Sequence, residues 1–160
     1  MSEHTIRLAT TEDADALVAI ARAEWDAIYR GFSDQLGEEI FSVFYPDPGA
    51  DKENQIRRNV ESGSCYLTLV DGVIAGFIHF VYDERTRLGT ISNNAVSGAY
   101  RGRGIGPRQY EFVFDLLRRR GAKGVRVTTG LDEAHAPARR AYEKAGFSAS
   151  TQSVTYFKKL

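Results

Sequence analysis

The chain has 160 residues, of which 42% are hydrophobic and 26% charged, an ordinary globular composition that predicts a single domain spanning residues 1–160. The single cysteine, Cys65, excludes an internal disulfide and a multi-cysteine metal site, so we expect no metal. The N-terminal residues are polar and no apolar run approaches the ~18 residues that span a bilayer, so we expect a cytoplasmic protein with no membrane partner.

Charge is distributed unevenly along the chain, although the formal net charge is zero. Residues 1–80 contain 6 Lys and Arg against 14 Asp and Glu, whereas residues 81–160 contain 15 against 7. This asymmetry fits an anionic ligand on the basic half and a cation, such as an amine, on the acidic half. Mutual pairing of the two surfaces, or their solvation, explains the same asymmetry.

The N-terminal half predicts one strand followed by helices. His4–Leu8 alternates polar and apolar residues, as a strand does, and Thr10 with Asp13 resembles a capping box at the start of a helix. Apolar residues at helical spacing predict a helix over 11–29. A second helix is predicted over 34–44, and 52–61 is a polar helix candidate that Gly63 ends. Gly31 is expected to interrupt the first helix, and Pro46, Pro48 and Gly49 to form a loop.

The remaining chain alternates strands with helices. Asp71-Gly72 separates two apolar runs and predicts a hairpin. Strands are predicted over 65–70, 73–82, 89–96, 125–129 and 154–160, and helices over 105–120 and 136–144. This order indicates an α/β or α+β protein built around one sheet.

A glycine-rich segment, Tyr100-Arg101-Gly102-Arg103-Gly104-Ile105-Gly106, lies between a predicted strand and a predicted helix. Glycines allow a ligand to approach the backbone closely, and the first turn of a helix has free N–H groups at its positive end. Such a turn can bind a pyrophosphate, with charge-assisted hydrogen bonds from Arg101 and Arg103. The glycine spacing does not match a dinucleotide-binding fingerprint, and the Lys of an ATP-binding loop is missing.

A second segment, Ala138-Arg139-Arg140-Ala141-Tyr142-Glu143-Lys144-Ala145-Gly146-Phe147, follows one strand later. Arg101-x-x-Gly104-x-Gly106 together with this segment resembles the GCN5-related N-acetyltransferases (GNAT), in which the two motifs occur in the same order. The resemblance covers roughly residues 90–147. It implies the GNAT acyl-CoA acyltransferase fold: a single mixed, mostly antiparallel central sheet flanked by helices.

The resemblance implies acetyl-CoA as co-substrate, held at its diphosphate by the backbone of the glycine-rich segment. In this family a strand N–H, here of Ala95 or Val96, donates to the thioester oxygen, and Tyr142 matches the usual general acid. His135 stands where the family often has Asn, and Arg139 could lower the cost of proton donation by Tyr142. The cofactor-binding set is therefore Ala95, Val96, Arg101, Gly102, Arg103, Gly104, Ile105, Gly106, His135 and Arg139.

No general base is evident from the sequence. Some family members have a Glu on the strand before the glycine loop, where this chain has Thr90, Ser92, Asn93 and Asn94. Asn94 or Asn93 could orient a water or the substrate. In this family the first helix borders the acceptor site, which makes Glu24 a catalytic candidate and Asp26 an alternative, although a solvated helix charge is the more common role for each. His79 lies in an apolar predicted strand and is a further alternative, although a buried structural His is more common there.

The function implied is direct transfer of acetyl from acetyl-CoA to a primary amine of a small molecule or peptide. The missing strand Glu keeps open a non-catalytic acyl-CoA sensor or regulatory domain. Nucleic-acid binding through the basic half is disfavoured by the acidic first half and by the lack of an aromatic base-stacking pattern. The sequence fixes neither the acceptor nor the acyl length, and the homodimer common in the family has no residue that identifies it here.

Overall fold

The computed structural model describes residues 3–160, and its centre is a five-stranded sheet. The strands are β1 (His4–Leu8), β2 (Cys65–Val70), β3 (Val73–Asp83), β4 (Leu88–Val96) and β5 (Gly124–Val127), and they lie side by side in that order. β1 to β4 are mutually antiparallel, while β5 is parallel to β4. The predicted mixed, mostly antiparallel sheet is therefore confirmed.

Five α-helices accompany the sheet: α1 (Ala14–Leu36), α2 (Glu38–Phe44), α3 (Pro48–Glu61), α4 (Ile105–Arg119) and α5 (Ala136–Lys144). α1 and α3 cover one face, where Leu17, Ile56 and Phe77 belong to one buried cluster. α4 and α5 cover the other face, where Ile78, Ile91 and Val113 belong to a second cluster. Within residues 3–160, no helix has the length and apolar character needed to cross a membrane.

The β2–β3 hairpin forms as predicted at Asp71-Gly72. Both residues have positive φ, 50° for Asp71 and 81° for Gly72, as a two-residue turn with the right twist requires. Asp71 also accepts a hydrogen bond from the Glu3 N–H at 2.9 Å, which ties the turn to the start of β1. The hairpin places β3 at the middle of the sheet, next to the strand that forms the site.

The predicted helix boundaries in the N-terminal half are wrong at two places. α1 continues through Gly31 and ends before Gly37, whose φ of 76° is the left-handed conformation that ends helices. A glycine within a helix costs only about 1 kcal/mol, which the packing of α1 outweighs. Pro48 opens α3 instead of forming a loop, because proline suits the first helical turn, and Asp47 caps it by accepting from the Ala50 N–H at 2.9 Å.

The predicted C-terminal strand over 154–160 is also wrong. This segment has no strand pairing, and Val154 and Tyr156 are exposed. Its contacts are with α2 instead: Phe157 packs edge-on against Phe44 with ring centroids 5.0 Å apart, and Lys159 pairs with Glu39 at 2.8 Å. The alternating apolar pattern has no sheet face to cover here, so it does not produce a strand.

A β-bulge and a divergence of strands create an opening in the sheet at β4. Ile91 is paired with Phe80 and Asn94 with Ile78, so two residues of β4, Ser92 and Asn93, stand opposite His79. β4 pairs with β5 only from Leu88 to Ile91. Beyond Ile91 the β4 edge is therefore not paired to β5, and a cavity begins there.

Candidate active site

The cavity between the diverging strands has a volume of about 980 Å³ and is bordered by α1, β4, the glycine-rich segment and α5. Most of the predicted site residues line it: Glu24, Asn94, Ala95, Val96, Arg101, Gly102, Gly104, Ile105, Gly106, His135 and Tyr142. Arg103 and Arg139 are not among its lining residues. The fold thus brings the two sequence motifs, 40 residues apart in the chain, to the walls of one cavity.

The glycine-rich segment forms a tight turn at the start of α4. Gly102 and Gly104 have φ of 76° and 74°, a conformation that side-chain-bearing residues rarely adopt. A Cβ built on either glycine would meet no atom within 4 Å, so the left-handed backbone, not crowding, requires glycine there. Gly104 is the residue that precedes α4, and no side chain caps the helix.

Five consecutive backbone N–H groups in this turn, those of residues 102–106, have no partner within residues 3–160. Pro107 follows and has no N–H, so the first helical donor that is satisfied within the turn is Arg108, which bonds to the Gly104 carbonyl at 3.4 Å. Free N–H groups at the positive end of a 15-residue helix attract anions. This end of the cavity is built to bind a phosphate-bearing group.

The arginines of the turn have different surroundings. Arg101 lines the cavity and pairs with the carboxylate of Glu24 on α1, which also accepts from the Gly98 N–H at 3.1 Å. Arg103 lies over the Tyr100 ring, with 5.1 Å between its guanidinium carbon and the ring centroid. Of the two arginines of the turn, Arg101 is thus the one that lines the cavity, and Glu24 orients it.

Two tyrosines and one asparagine form a hydrogen-bonded group on the α4–α5 side of the cavity. The Tyr142 hydroxyl donates to Asn94 Oδ1 at 3.2 Å, and Asn94 Nδ2 donates to the Tyr110 hydroxyl at 2.9 Å. Burial raises the pKa of Tyr142. Tyr142 is therefore protonated near neutral pH and can serve as a proton donor.

Asn93 and Asn94 are successive residues of β4 and therefore point to opposite faces of the sheet. Asn93 Oδ1 accepts from Lys52 Nζ of α3 at 2.9 Å, and Lys52 also donates to Gln55 Oε1 at 2.9 Å. The Lys52 ammonium lies 4.3 Å from the centroid of the Trp25 ring, which lines the cavity. Burial lowers the pKa of Lys52 to about 8. Lys52 thus contacts two residues that line the cavity, Asn93 and Trp25, without lining the cavity itself.

The loop between β5 and α5 places His135 at the cavity wall, next to α1. His135 Nδ1 is 2.7 Å from Asp132 Oδ2, and its ring stacks on Phe32 of α1 with centroids 6.2 Å apart. Arg139 Nη1 donates to the carbonyls of Gly130 and Asp132 at 2.8 and 2.7 Å. Arg139 therefore holds the His135 loop in shape, a role that the sequence did not indicate.

The other base candidates lie outside the cavity lining. His79 is buried with Nε2 3.2 Å from Ser62 Oγ, and burial lowers its pKa to about 4, so it is neutral and structural. Asp26 pairs with Arg30 on the exposed side of α1. Burial raises the pKa of Cys65 to about 12, which leaves its thiol unreactive. Within residues 3–160, no three His, Cys, Asp or Glu side chains gather as a metal site would require.

Two residues of the site were not predicted from the sequence. Tyr110 lies on the apolar face of α4, and the need of a buried tyrosine hydroxyl for a hydrogen-bond partner could have indicated a polar neighbour. Lys52 lies four residues before Ile56 and eight before Val60, so helical spacing places it on the buried face of α3. That spacing is the pattern that could have identified it.

Sequence comparison identifies a family and named relatives. Residues 25–147 match the profile of the acetyltransferase (GNAT) family. The chain is 30% identical over 110 residues to streptothricin acetyltransferase of Streptomyces lavendulae, covering 68% of this chain and 57% of that protein. It is 37% identical over 96 residues to mycothiol acetyltransferase of Corynebacterium glutamicum, covering 59% of this chain and 32% of that protein. The chain thus spans between a third and three-fifths of these relatives' lengths.

Solved structures share the fold at low sequence identity. PaiA N-acetyltransferase of Thermoplasma acidophilum, in complex with coenzyme A, superposes with a TM-score of 0.71 at 19% identity, over 97% of this chain and 96% of that one. AAC(6')-Iy in complex with a CoA bisubstrate analogue has a TM-score of 0.69 at 13% identity, over 99% and 100%. These likenesses confirm the architecture predicted from the motifs.

Proposed function

The chain belongs to the acetyltransferase (GNAT) family, and on that premise we propose that it transfers the acetyl group of acetyl-CoA directly to a primary amine. One observation carries the proposal: a single cavity joins the unpaired N–H groups of the glycine-rich turn to the hydroxyl of Tyr142. The first feature suits the diphosphate of the donor, and the second suits a leaving thiolate.

Donor binding rests on the turn and on the unpaired edge of β4. The N–H groups of Gly102, Gly104, Ile105 and Gly106 hold the diphosphate, and the Arg101 guanidinium contributes positive charge beside it. The pantetheine arm then follows β4 beyond Ile91, where the strand has no β5 partner. An N–H of Ala95 or Val96 polarises the thioester carbonyl as negative charge develops on its oxygen.

In the reaction the amine nitrogen attacks the thioester carbonyl carbon, the C–S bond breaks and the amine loses a proton. Tyr142 donates its phenolic proton to the departing sulfur. The proton that the amine releases then passes through water to the Tyr142 oxygen and restores the phenol. An alkylammonium is less than about 0.1% neutral at pH 7, so the site must also favour loss of the first amine proton. Asn93 and Asn94 are the polar cavity groups available to orient a water for that step.

The residues near His135 and α1 favour a small cationic molecule as the acceptor. Phe32, Tyr29 and Tyr45 form an aromatic cluster beside His135, with Phe32 and Tyr45 centroids 5.7 Å apart. The same helices, α1 and α2, also carry the exposed carboxylates of Asp34 and Glu38. Aromatic faces and carboxylates both favour ammonium groups. The named relative that acetylates streptothricin supports a small-molecule amine over a protein acceptor.

A thiol-release assay tests the proposal. Folded protein is incubated with acetyl-CoA and a panel of amines that includes diamines, a streptothricin-type antibiotic, amino acids and a lysine peptide, and free CoA is measured. We expect amine-dependent release that saturates, with mass spectrometry showing one acetyl group added to nitrogen. Release equal to the amine-free background across the panel would contradict the proposal.

One observation favours a second candidate, an acyl-CoA sensor without catalysis. Within residues 3–160, Glu24 is the one carboxylate that lines the cavity, and it is engaged with Arg101 and the Gly98 N–H. Among the described residues, the cavity therefore offers no free carboxylate to act as a base. The same assay separates the two functions, because a sensor binds acetyl-CoA tightly and releases no CoA when amines are added.

A further inference from the structure

Tyr110 occupies an unusual place for a tyrosine, because its hydroxyl lies in the buried interior between α4 and α5. The residue is 3% exposed and packs in the same apolar cluster as Val113 and Phe114. Its ring meets the ring of Tyr142 edge-on, with centroids 5.7 Å apart and planes at 62°. A phenylalanine would fill this volume equally well, so the hydroxyl calls for an explanation.

The Asn94 amide fixes the direction of hydrogen bonding in this group. An amide has one accepting end and one donating end, and Asn94 uses Oδ1 for Tyr142 and Nδ2 for Tyr110. The Tyr110 oxygen therefore receives a hydrogen bond from Asn94, and its own proton is free to point elsewhere. Within the described residues, the neighbouring hydroxyl that it can reach is that of Tyr142.

When Tyr142 loses its proton, the hydrogen bonds of this group no longer suit the charge on the Tyr142 oxygen. The Tyr142 oxygen becomes negative while it still faces Asn94 Oδ1, which carries partial negative charge and repels it. Little water reaches the half-buried Tyr142 to solvate the charge, and burial alone already disfavours the phenolate. A hydrogen-bond donor beside Tyr142 is needed at that moment.

We propose that Tyr110 is a positioning residue for the proton-transfer step, whose O–H donates to the Tyr142 oxygen once that oxygen has given its proton to the departing thiolate. The O–H bond of Tyr142 breaks and an S–H bond forms, while the O–H bond of Tyr110 stays intact and only its direction changes. The proton released by the amine later restores Tyr142. The kinetic part of this inference rests on the proposed acetyl transfer. The effect of Tyr110 on the Tyr142 phenol does not depend on that function.

The first readout therefore needs no activity. Protein labelled with ¹³C at tyrosine Cζ is titrated by NMR, and the Tyr142 resonance is identified by its loss in Tyr142→Phe. We expect Tyr110→Phe to raise the pKa of Tyr142 by about one unit, since it removes one hydrogen bond to the phenolate. Tyr66→Phe, which removes a hydroxyl from the same apolar cluster, is the matched control and should leave that pKa unchanged. An unchanged pKa in Tyr110→Phe overturns the proposal.

The second readout is a double-mutant cycle on turnover with Tyr110→Phe, Tyr142→Phe and the double variant. We expect Tyr110→Phe to lower kcat about 10-fold in the wild-type background, with no further loss in the Tyr142→Phe background and an unchanged Kd for CoA. Equal losses in both backgrounds indicate a packing role and overturn the proposal. Absence of turnover in the wild-type protein contradicts the proposed function alone, and the NMR titration still decides the role of Tyr110.

Thermal melting checks that Tyr110→Phe folds, because the variant leaves Asn94 Nδ2 without its acceptor. If it does not fold, 3-fluorotyrosine at position 110 retains the ring volume and the hydroxyl while making the phenol a stronger donor. We then expect the pKa of Tyr142 to fall relative to the unsubstituted protein. No change in that pKa, with a folded protein, overturns the proposal.

Discussion

The carboxylate of Glu24 holds both ends of the turn that leads into the glycine-rich segment. It pairs with the Arg101 guanidinium and accepts a hydrogen bond from the Gly98 N–H at 3.1 Å. Glu24 belongs to α1 on the acceptor side of the cavity, whereas Arg101 borders the proposed diphosphate site. The contact therefore connects the two halves of the site, and we propose that Glu24 positions Arg101 and is not the general base.

Replacing Glu24 by Gln removes the charge and retains the volume. We expect the Kd for CoA to rise about 5-fold, close to 1 kcal/mol, because Arg101 is largely exposed and its pairing is screened by water. The kcat at saturating acetyl-CoA should change by less than about 2-fold, since no proton passes through this carboxylate. Calorimetry with CoA and steady-state kinetics measure the two quantities.

Asp26→Asn serves as the control for Glu24→Gln, because Asp26 lies two residues away on α1 and pairs only with the exposed Arg30. Asp26→Asn should change neither the Kd for CoA nor kcat. A fall in kcat of about 100-fold or more in Glu24→Gln, with CoA affinity retained, would show that Glu24 is the general base after all.

Tyr142→Phe removes the proposed proton donor. We expect kcat to fall about 100-fold or more while the Kd for CoA stays within about 2-fold, because the hydroxyl acts on the leaving sulfur and not on the diphosphate. Tyr156→Phe removes a hydroxyl from a tyrosine that is 89% exposed in the C-terminal segment, and it should be silent. Unchanged turnover at saturating substrate would remove Tyr142 from the mechanism.

Much of the donor side was predictable from the sequence because its determinants are local. The positive φ of Gly102 and Gly104 and the start of α4 follow from neighbouring residues, and so does the Asp71-Gly72 hairpin. The Glu24–Arg101 contact is different, because its partners are 77 residues apart in the chain. Only the packing of α1 against β4 brings them together, and no local pattern encodes that distance.

Gly104→Ala tests the left-handed turn directly. A side chain at φ of 74° costs about 1 kcal/mol of stability, and it also disturbs the N–H groups that face the ligand. Gly63 is a matched control, since it has φ of 72°, has open space around its Cα and lies away from the cavity. We expect both variants to lose similar stability in urea denaturation, and only Gly104→Ala to weaken CoA binding, by about 10-fold or more.

Equal loss of CoA affinity in the two glycine variants would mean that general destabilisation causes it. Retained affinity in a folded Gly104→Ala protein would mean that the turn does not hold the diphosphate. Either result can be read from calorimetry on proteins whose melting curves have first been compared.

Lys52 makes the stability of the protein depend on pH above neutrality. Burial lowers its pKa from an ordinary value near 10.5 to about 8, so between those pH values the unfolded chain holds a proton that the folded chain does not. Stability contributed by this residue therefore rises as pH increases from about 8 to about 10.5. We expect the free energy of unfolding of wild type, relative to Lys52→Met, to increase across that window.

Chemical denaturation at pH 7, 8.5 and 10 measures this difference. Lys158→Met, at an exposed lysine of the C-terminal segment, should parallel wild type at every pH. Wild-type and Lys52→Met curves that stay parallel over the window would show that the Lys52 ammonium is not destabilised by its surroundings.

The parts of the fold that the sequence did not predict share one physical cause, which is that tertiary packing overrides local preference. Gly31 lies within α1 because the helix is held by packing on both sides of it, and Pro48 starts α3 because Asp47 caps it. The strand predicted over 154–160 depended on alternation alone, and Phe157 packs on α2 instead of a sheet. The bulge at Ser92 and Asn93 depends on pairing with the partner strand β3, which the local sequence of β4 does not encode.

The proposed acetyl transfer depends on the backbone of the glycine-rich turn, which we propose binds the diphosphate of acetyl-CoA. Isothermal titration calorimetry of folded wild-type protein with acetyl-CoA, and separately with acetyl-pantetheine, which lacks the diphosphate, tests this binding. We expect saturable binding of acetyl-CoA and binding of acetyl-pantetheine weaker by about 100-fold or more. Equal affinity for the two thioesters, or no binding of acetyl-CoA by protein shown to be folded, would contradict it.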